Sequence, residues 1–130
     1  MSRVRVLVVE DFVPFRQFIS SRLATRRDLQ VICEVSDGLE AVQKAVELKP
    51  DLILLDIALP SLNGIEAARR IRTLAPESKI IFLSQESSPD VVQEAFSLGA
   101  QGYVVKAKAG SELLDAVDAV ISGKKFIGSK

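Results

Sequence analysis

The chain has 130 residues, which suits a single domain and leaves no room for two. It carries 17 Lys and Arg residues against 17 Asp and Glu residues, so its net charge is zero and its bulk charge indicates neither a nucleic-acid nor a membrane partner. With one cysteine and no histidine, the sequence excludes an internal disulfide, the usual zinc sites and a histidine-dependent catalytic triad.

Five short apolar runs alternate with segments of helical spacing along the chain. In chain order the runs are residues 4–9, 31–35, 52–55, 80–83 and 103–105. The third and fourth runs contain no polar residue, which is typical of strands that are covered on both faces in a parallel sheet. The alternation predicts an α/β fold, a (βα)₅ sandwich with right-handed crossovers and helices on both faces of the sheet.

The segments between the runs have apolar residues at helical spacing. The predicted core-facing residues are Phe15, Phe18, Ile19 and Leu23 in the first helix, Leu39, Val42 and Val46 in the second, Ala68, Ile71 and Leu74 in the third, Val92, Phe96 and Gly99 in the fourth, and Leu113, Val117, Val120 and Ile121 in the fifth.

Cap residues mark several helix boundaries. Ser88-Pro89-Asp90 predicts a helix start, and Gly99 and Gly123 predict helix stops. Asn63-Gly64 is a common hairpin turn, but the strongly helical residues after it favour a loop and a helix start. We place one domain at residues 1–122 and interpret residues 123–130, which leave the pattern, as the start of a linker or C-terminal tail.

Polar residues stand at the end of every strand, and those after the second, Ser36-Asp37-Gly38, are explained as a helix cap. Glu10 and Asp11 follow the first, Asp56 the third and Ser84 the fourth, and Lys106 ends the fifth. In open α/β sheets, ligands bind beyond the carboxyl ends of the strands. Three carboxylates held close together repel one another, and a divalent cation such as Mg²⁺ removes that repulsion while sharing its ligand shell with a phosphate. An aspartate beside such a cation, with Lys and Ser donors nearby, is a workable nucleophile toward phosphorus.

These residues resemble the CheY-like receiver family of response regulators across nearly the whole chain. The resemblance rests on Val8-Val9-Glu10-Asp11, residues 51–56, Leu59-Pro60 with Asn63-Gly64, Ser84, and Tyr103-Val104-Val105-Lys106. It implies a doubly wound sheet of strand order 2-1-3-4-5.

The family's site roles carry over to matching positions of this chain. The resemblance implies that Asp56 is the phosphoacceptor and that Lys106 pairs with the phosphoryl oxygens. Mg²⁺, or another divalent cation, would be held by Glu10, Asp11, Asp56 and the main-chain carbonyl of Ala58. Ser84 and Tyr103 would be the switch residues. On this interpretation the protein is a signalling domain and not an enzyme, since it catalyses only its own phosphorylation and dephosphorylation.

Residues 56–69 resemble the NarL/FixJ subgroup, whose receivers usually precede a LuxR-type DNA-binding domain. The implied partners are a sensor histidine kinase, a second copy bound through the face of the fourth helix, fifth strand and fifth helix, and DNA only through an output domain that this chain lacks. No apolar run approaches the roughly 20 residues of a membrane span, and no signal peptide precedes the first strand, so we expect a cytoplasmic protein with no membrane partner.

The chain departs from the usual receiver pattern near the site. Ala107 stands where many receivers have a cis-proline, and we expect a trans bond after Lys106. Lys108 lies only two residues farther on, but Lys106 directly ends the strand. Gln85 is larger than the residue usual there and would narrow access to Asp56, and Glu86 is a candidate for orienting the hydrolytic water.

Three other functions fit parts of the pattern. A phosphatase of the haloacid-dehalogenase type would need an Asp-x-Asp pair after the first strand and a cap domain. A flavin or nucleotide binder would need a glycine-rich or hydroxyl-rich loop where the chain has Asp11-Phe12-Val13-Pro14. A degenerate receiver would signal without phosphorylation, although all five key positions hold competent residue types.

Overall fold

A computed structural model describes residues 3–85 and 88–128 of the chain. The strands are β1 (Val4–Val9), β2 (Leu29–Val35), β3 (Leu52–Asp56), β4 (Lys79–Ser84), β5 (Gly102–Val105) and β6 (Phe126–Ile127), and the helices are α1 (Val13–Ala24), α2 (Gly38–Leu48), α3 (Gly64–Leu74), α4 (Pro89–Ser97) and α5 (Ala109–Ile121). A 3₁₀ turn spans Lys106–Lys108 between β5 and α5. The strands form one parallel sheet in the order β2-β1-β3-β4-β5-β6, which confirms the α/β class and the order predicted for the first five strands.

The sixth strand was not predicted. Phe126–Ile127 pairs in parallel with β5, and hydrogen bonds from Phe126 N to Gln101 O and from Gly128 N to Tyr103 O fix it there. A two-residue strand is too short to show a hydrophobic period, so it could not be predicted from the sequence pattern. The residue 122/123 boundary between domain and tail stays a prediction.

Each face of the sheet carries its own apolar core. Helices α2, α3 and α4 cover one face, where they pack on Leu7, Val9 and Phe82 among others. Helices α1 and α5 cover the other face, which contains Val6 and Val8. Neighbouring residues of one strand therefore alternate between the two cores, as the pleat of a strand requires.

The predicted inner face of α2 is wrong at two of its three positions, because Val42 packs against the core as predicted but Leu39 and Val46 do not. Ala41 and Ala45 are fully buried, whereas Leu39 and Val46 are 50% and 41% exposed. Small side chains let the helix backbone approach the sheet closely, and the larger apolar residues are left beside that contact on the outer surface. Three other residues predicted as core-facing are also exposed, namely Phe18, Leu74 and Ile121.

The predicted boundaries are confirmed where caps mark them. The Asn63 side chain accepts a hydrogen bond from Glu66 N, so Asn63-Gly64 begins α3 and forms no hairpin. Ser88 caps α4 in the same way. Gly99 and Gly123 have φ angles of 95° and 90°, in the left-handed region that favours glycine at helix ends.

Two further expectations concern the backbone and the helices. Every peptide bond among the described residues is trans, including the bond from Lys106 to Ala107. Within residues 3–85 and 88–128, no helix has the length and apolar character that crossing a membrane requires.

Candidate functional site

The carboxyl ends of the central strands open into one cleft. Asp56 is the last residue of β3, Ser84 is the last of β4, Glu10 follows β1 and Lys106 follows β5. All four line a cleft of about 840 Å³, together with Asp11 and Ala58. The strand-end residues singled out by the sequence are thus brought together.

A glycine permits the close turn below Asp56. Gly64 N donates to Ile57 O over 2.7 Å. A Cβ atom at Gly64 would lie 2.1 Å from the main-chain oxygen of Asp56, so any side chain there would collide with backbone. The glycine at the start of α3 therefore lets the helix pack directly beneath the cleft.

Three carboxylates share the floor and rim of the cleft. Glu10 and Asp56 are 0% and 2% exposed, while Asp11 lies on the exposed rim. One carboxylate oxygen from each residue lies within 4.8 Å of the others. Such a group of buried and half-open acids is electrostatically unfavourable unless cations balance it.

Lys106 supplies one balancing charge. Its Nζ lies 2.8 Å from Glu10 Oε1 and 3.1 Å from Asp56 Oδ2. Main-chain donors hold the remaining oxygens, since Phe12 N donates to Glu10 Oε2 and Ala58 N donates to Asp56 Oδ1. The orientations of both buried carboxylates are therefore fixed.

The charge balance shifts the pKa of the central acid. Burial, followed by the negative charge of Glu10, raises the pKa of Asp56 from 3.8 to about 6, although Lys106 acts against this rise. Burial lowers the pKa of Lys106, but its contacts with Glu10 and Asp56 outweigh that effect and the pKa is raised overall. Lys106 is therefore a permanent cation at neutral pH, and Asp56 carries an electrostatic cost when ionised.

The donor set fits a hard divalent cation. Three carboxylates and one ammonium leave a formal charge of −2 when all are ionised. Glu10 Oε1 is buried and lies in an ion pair with Lys106. Oxygen ligands carrying excess negative charge are what Mg²⁺ and similar ions prefer.

The remaining predicted site residues occupy different surroundings. Ser84 is buried at the end of β4, and Tyr103 is 1% exposed within the core on the α2, α3 and α4 side. Gln85 lines the cleft, and its narrowing of access to Asp56 stays a prediction. Lys108 is exposed and absent from the cleft lining, so of these two lysines it is Lys106 that contacts the carboxylates. Glu86 lies outside the described residues.

Sequence reasoning missed two residues of α1 that contact the site. The Phe15 ring centroid lies 5.1 Å from Lys106 Nζ, within the range of a cation–π contact. Arg16 Nη1 donates to the main-chain oxygen of Glu10 over 3.0 Å. Phe15 was assigned to the core by its helical spacing, and nothing in the local sequence indicated the contact made by Arg16.

Comparisons with known proteins agree on one family. The family model described as the response regulator receiver domain matches residues 6–118. The transcriptional regulatory protein LiaR of Bacillus subtilis is 36% identical over 127 residues, which are 98% of this chain. The chain spans 60% of the length of LiaR.

Two solved structures resemble the chain closely in fold. A LuxR-family two-component response regulator from Aurantimonas has a TM-score of 0.88 and 32% identity, covering 96% of this chain and 89% of that one. The signal receiver domain of the response regulator NarL from Mycobacterium tuberculosis has a TM-score of 0.89 and 27% identity, covering 95% of this chain and 100% of that one.

Proposed function

The chain belongs to the response regulator receiver domain family, and from this premise we propose that it accepts a phosphoryl group on Asp56 and signals by changing shape. The observation that carries the proposal is the cluster of Asp56 with Glu10, Asp11 and Lys106 at the carboxyl edge of the sheet. An aspartate with a purely structural role would be destabilised by two further acids beside it, because like charges repel.

Asp56 is suited to act as the nucleophile. A carboxylate oxygen attacks the phosphorus of the donor, the bond from phosphorus to the donor breaks, and the leaving group keeps that electron pair. Ala58 N and Lys106 each hold one oxygen of Asp56, so the carboxylate is oriented before the donor arrives. The Lys106 ammonium also offers a positive charge to the phosphoryl oxygens.

The carboxylates of Glu10, Asp11 and Asp56, with the main-chain carbonyl of Ala58, would hold Mg²⁺ or a similar ion. When bound, the ion would neutralise negative charge on the phosphoryl oxygens. Without a cation, the acids would repel an incoming phosphate. Chelation should therefore stop phosphorylation.

The phosphoryl group would then change the surface of the protein. Phosphorylation adds negative charge and acceptor oxygens, for which Ser84 and Lys106 are the nearest donors from β4 and β5. If Ser84 moves toward the phosphoryl group, the space it leaves admits a rearranged Tyr103. The face of α4, β5 and α5 would change with it, and we propose this face for a homodimer or an output contact.

Partners follow from the family and its relatives. Response regulators of two-component systems interact with sensor kinases, and we propose that a sensor histidine kinase supplies the phosphoryl group. LiaR is named a transcriptional regulatory protein, and this chain covers only part of its length. We therefore propose transcription as the output, with DNA bound by a separate domain.

Acetyl phosphate, Mg²⁺ and intact-mass measurement test the proposal. Wild-type protein should gain one phosphoryl group, and Asp56→Asn or an excess of chelator should abolish the gain. Asp51→Asn is the matched control, because Asp51 lies just before the opposite end of β3 and binds Arg5 N. An Asp56→Asn protein that still gains a phosphoryl group would refute the assignment. No gain in the wild type would favour a degenerate receiver.

A further inference from the structure

Arg16, in the first turn of α1, ties the loop after β1 to β2. Its Nη1 donates to Glu10 O over 3.0 Å, and its Nε lies 3.3 Å from Glu34 Oε1. The Arg16 side chain is only 22% exposed. We propose that Arg16 is a positioning residue that holds the metal-binding acids in place, an inference that rests on the proposed function.

The contact with Glu34 depends on an irregularity in β2. Opposite the step from Val6 to Leu7, β2 contains one extra residue. Before this bulge Val31 packs on the α1 and α5 side, and after it Cys33 packs on the opposite side. In a regular strand, residues two apart share a face. The bulge therefore turns Glu34 toward α1, where Arg16 reaches it, and bulges often re-aim a side chain in this way near functional sites.

The chain of contacts ends at the metal-binding carboxylates. The side-chain carboxylate of Glu10 is bound by Lys106 and Phe12 N, whereas the main-chain oxygen of Glu10 is bound by Arg16. Asp11 is the next residue and lies exposed on the rim, so its position follows from the same loop. Without Arg16, repulsion among the acids would move the loop after β1 away from its position. Cation binding would then have to bring the carboxylates back together, which would lower the affinity for the cation.

A purely structural ion pair would behave differently. The Glu34 side chain is 41% exposed, and pairs this open contribute little to stability. A positioning role instead predicts a small effect on unfolding and a clear effect on cation affinity. It also predicts little effect on the reaction once the cation is bound, because Arg16 does not line the cleft around Asp56.

The test compares Arg16→Ala, Arg16→Lys and Glu34→Gln with the wild type. Binding of Mg²⁺ is measured by calorimetric titration with magnesium chloride, and phosphorylation by acetyl phosphate is timed at saturating Mg²⁺ by intact mass. Arg70→Ala is the matched control, because Arg70 is an exposed arginine on α3 whose ion pair with Glu66 spans 3.8 Å. Urea unfolding of each variant reports on the fold.

Arg16→Ala should raise the Mg²⁺ dissociation constant about five- to tenfold and leave the saturated rate within about twofold of the wild type. Arg16→Lys should show most of this loss, since one ammonium cannot serve both Glu10 O and Glu34. Glu34→Gln should show a smaller loss. If Arg16→Ala fails to fold, the other two variants decide the question.

Two results would overturn the inference. One is a Mg²⁺ affinity of the variants that equals that of Arg70→Ala and the wild type. The other is a lower saturated rate with unchanged affinity, which would place Arg16 in the chemistry itself. A wild type that binds no Mg²⁺ would overturn the cation part of the proposed function and the inference with it, whereas normal wild-type binding with unaffected variants would overturn the inference alone.

Discussion

Replacing Asp56 with asparagine should make the metal-free protein more stable. The pKa of Asp56 is raised to about 6 by burial and by Glu10, so folding places an ionised carboxylate where it is disfavoured. Asparagine has nearly the same shape and carries no charge, but its single oxygen can accept the hydrogen bond from Lys106 or the one from Ala58 N, not both. The variant therefore removes the electrostatic cost without opening a cavity.

The size of the effect follows from the pKa. The rise from 3.8 to about 6 corresponds to about 3 kcal/mol, at about 1.4 kcal/mol for each tenfold change in proton affinity. This rise is already net of the attraction between Asp56 and Lys106. The hydrogen bond that the amide cannot accept offsets part of it, so we expect a net gain of about 1–3 kcal/mol in the free energy of unfolding at pH 7.5.

The pH dependence has a definite sign. Because the folded pKa of Asp56 lies above its unfolded value, the carboxyl imposes no cost below about pH 4, where it is protonated in both states. The full cost is present above about pH 6, where it is ionised in both states. The difference in the free energy of unfolding between Asp56→Asn and the wild type should therefore be small at pH 4 and reach its full size by pH 7.

Urea unfolding followed by far-ultraviolet circular dichroism, with a chelator present, measures this gap. Asp51→Asn should stay within about 0.5 kcal/mol of the wild type, as is usual for an exposed position. Mg²⁺ should stabilise the wild type more than Asp56→Asn, because bound ligand favours the folded state. An Asp56→Asn protein that is no more stable at pH 7.5, or whose gap is the same at pH 4 and pH 7, would refute the reasoning.

Three further outcomes are expected. Lys106→Ala should slow phosphorylation by acetyl phosphate at least about tenfold. Lys108→Ala is the control and should react at the wild-type rate. Equal rates for the two variants would contradict the role of Lys106. Gly64→Ala should lower the free energy of unfolding by about 1–3 kcal/mol, because its Cβ would meet Asp56 O, and unchanged urea curves would count against that collision. In the beryllofluoride–Mg²⁺ complex, where beryllofluoride stands in for the phosphoryl group, amide NMR shifts should extend through Tyr103 into α5, and shifts confined to the cleft would argue against switching.

The strands and their ends were the most predictable part of the protein. Short runs of β-branched and aliphatic residues are typical of strands that are covered on both faces of a sheet, and a parallel sheet gathers its strand ends at one edge. Asp56 and Lys106 could therefore be predicted to meet, although they are 50 positions apart. The buried surroundings that raise the pKa of Asp56 depend on the packed structure and could be stated only as a tendency.

Helix faces and side-chain bridges were less predictable. Hydrophobicity favours Leu39 and Val46 over Ala41 and Ala45, whereas close packing of α2 on the sheet selects the alanines. The bulge in β2 adds one residue without any glycine or proline to mark it, so neither the facing of Glu34 nor its contact with Arg16 follows from the sequence pattern.

The short strand β6 has a consequence for how the protein behaves at high concentration. A strand at the border of a sheet presents unpaired main-chain groups that can recruit a strand from another molecule. Here Phe126 N and Gly128 N already occupy the Gln101 and Tyr103 oxygens along β5. A chain cut at Gly123 would lack β6, so β5 would become the edge strand and these oxygens would be unpaired. Tyr103, Val104 and Val105 of that edge are aromatic or β-branched and carry no charge. Such a shortened chain would be prone to aggregate through strand addition even though its cleft is intact.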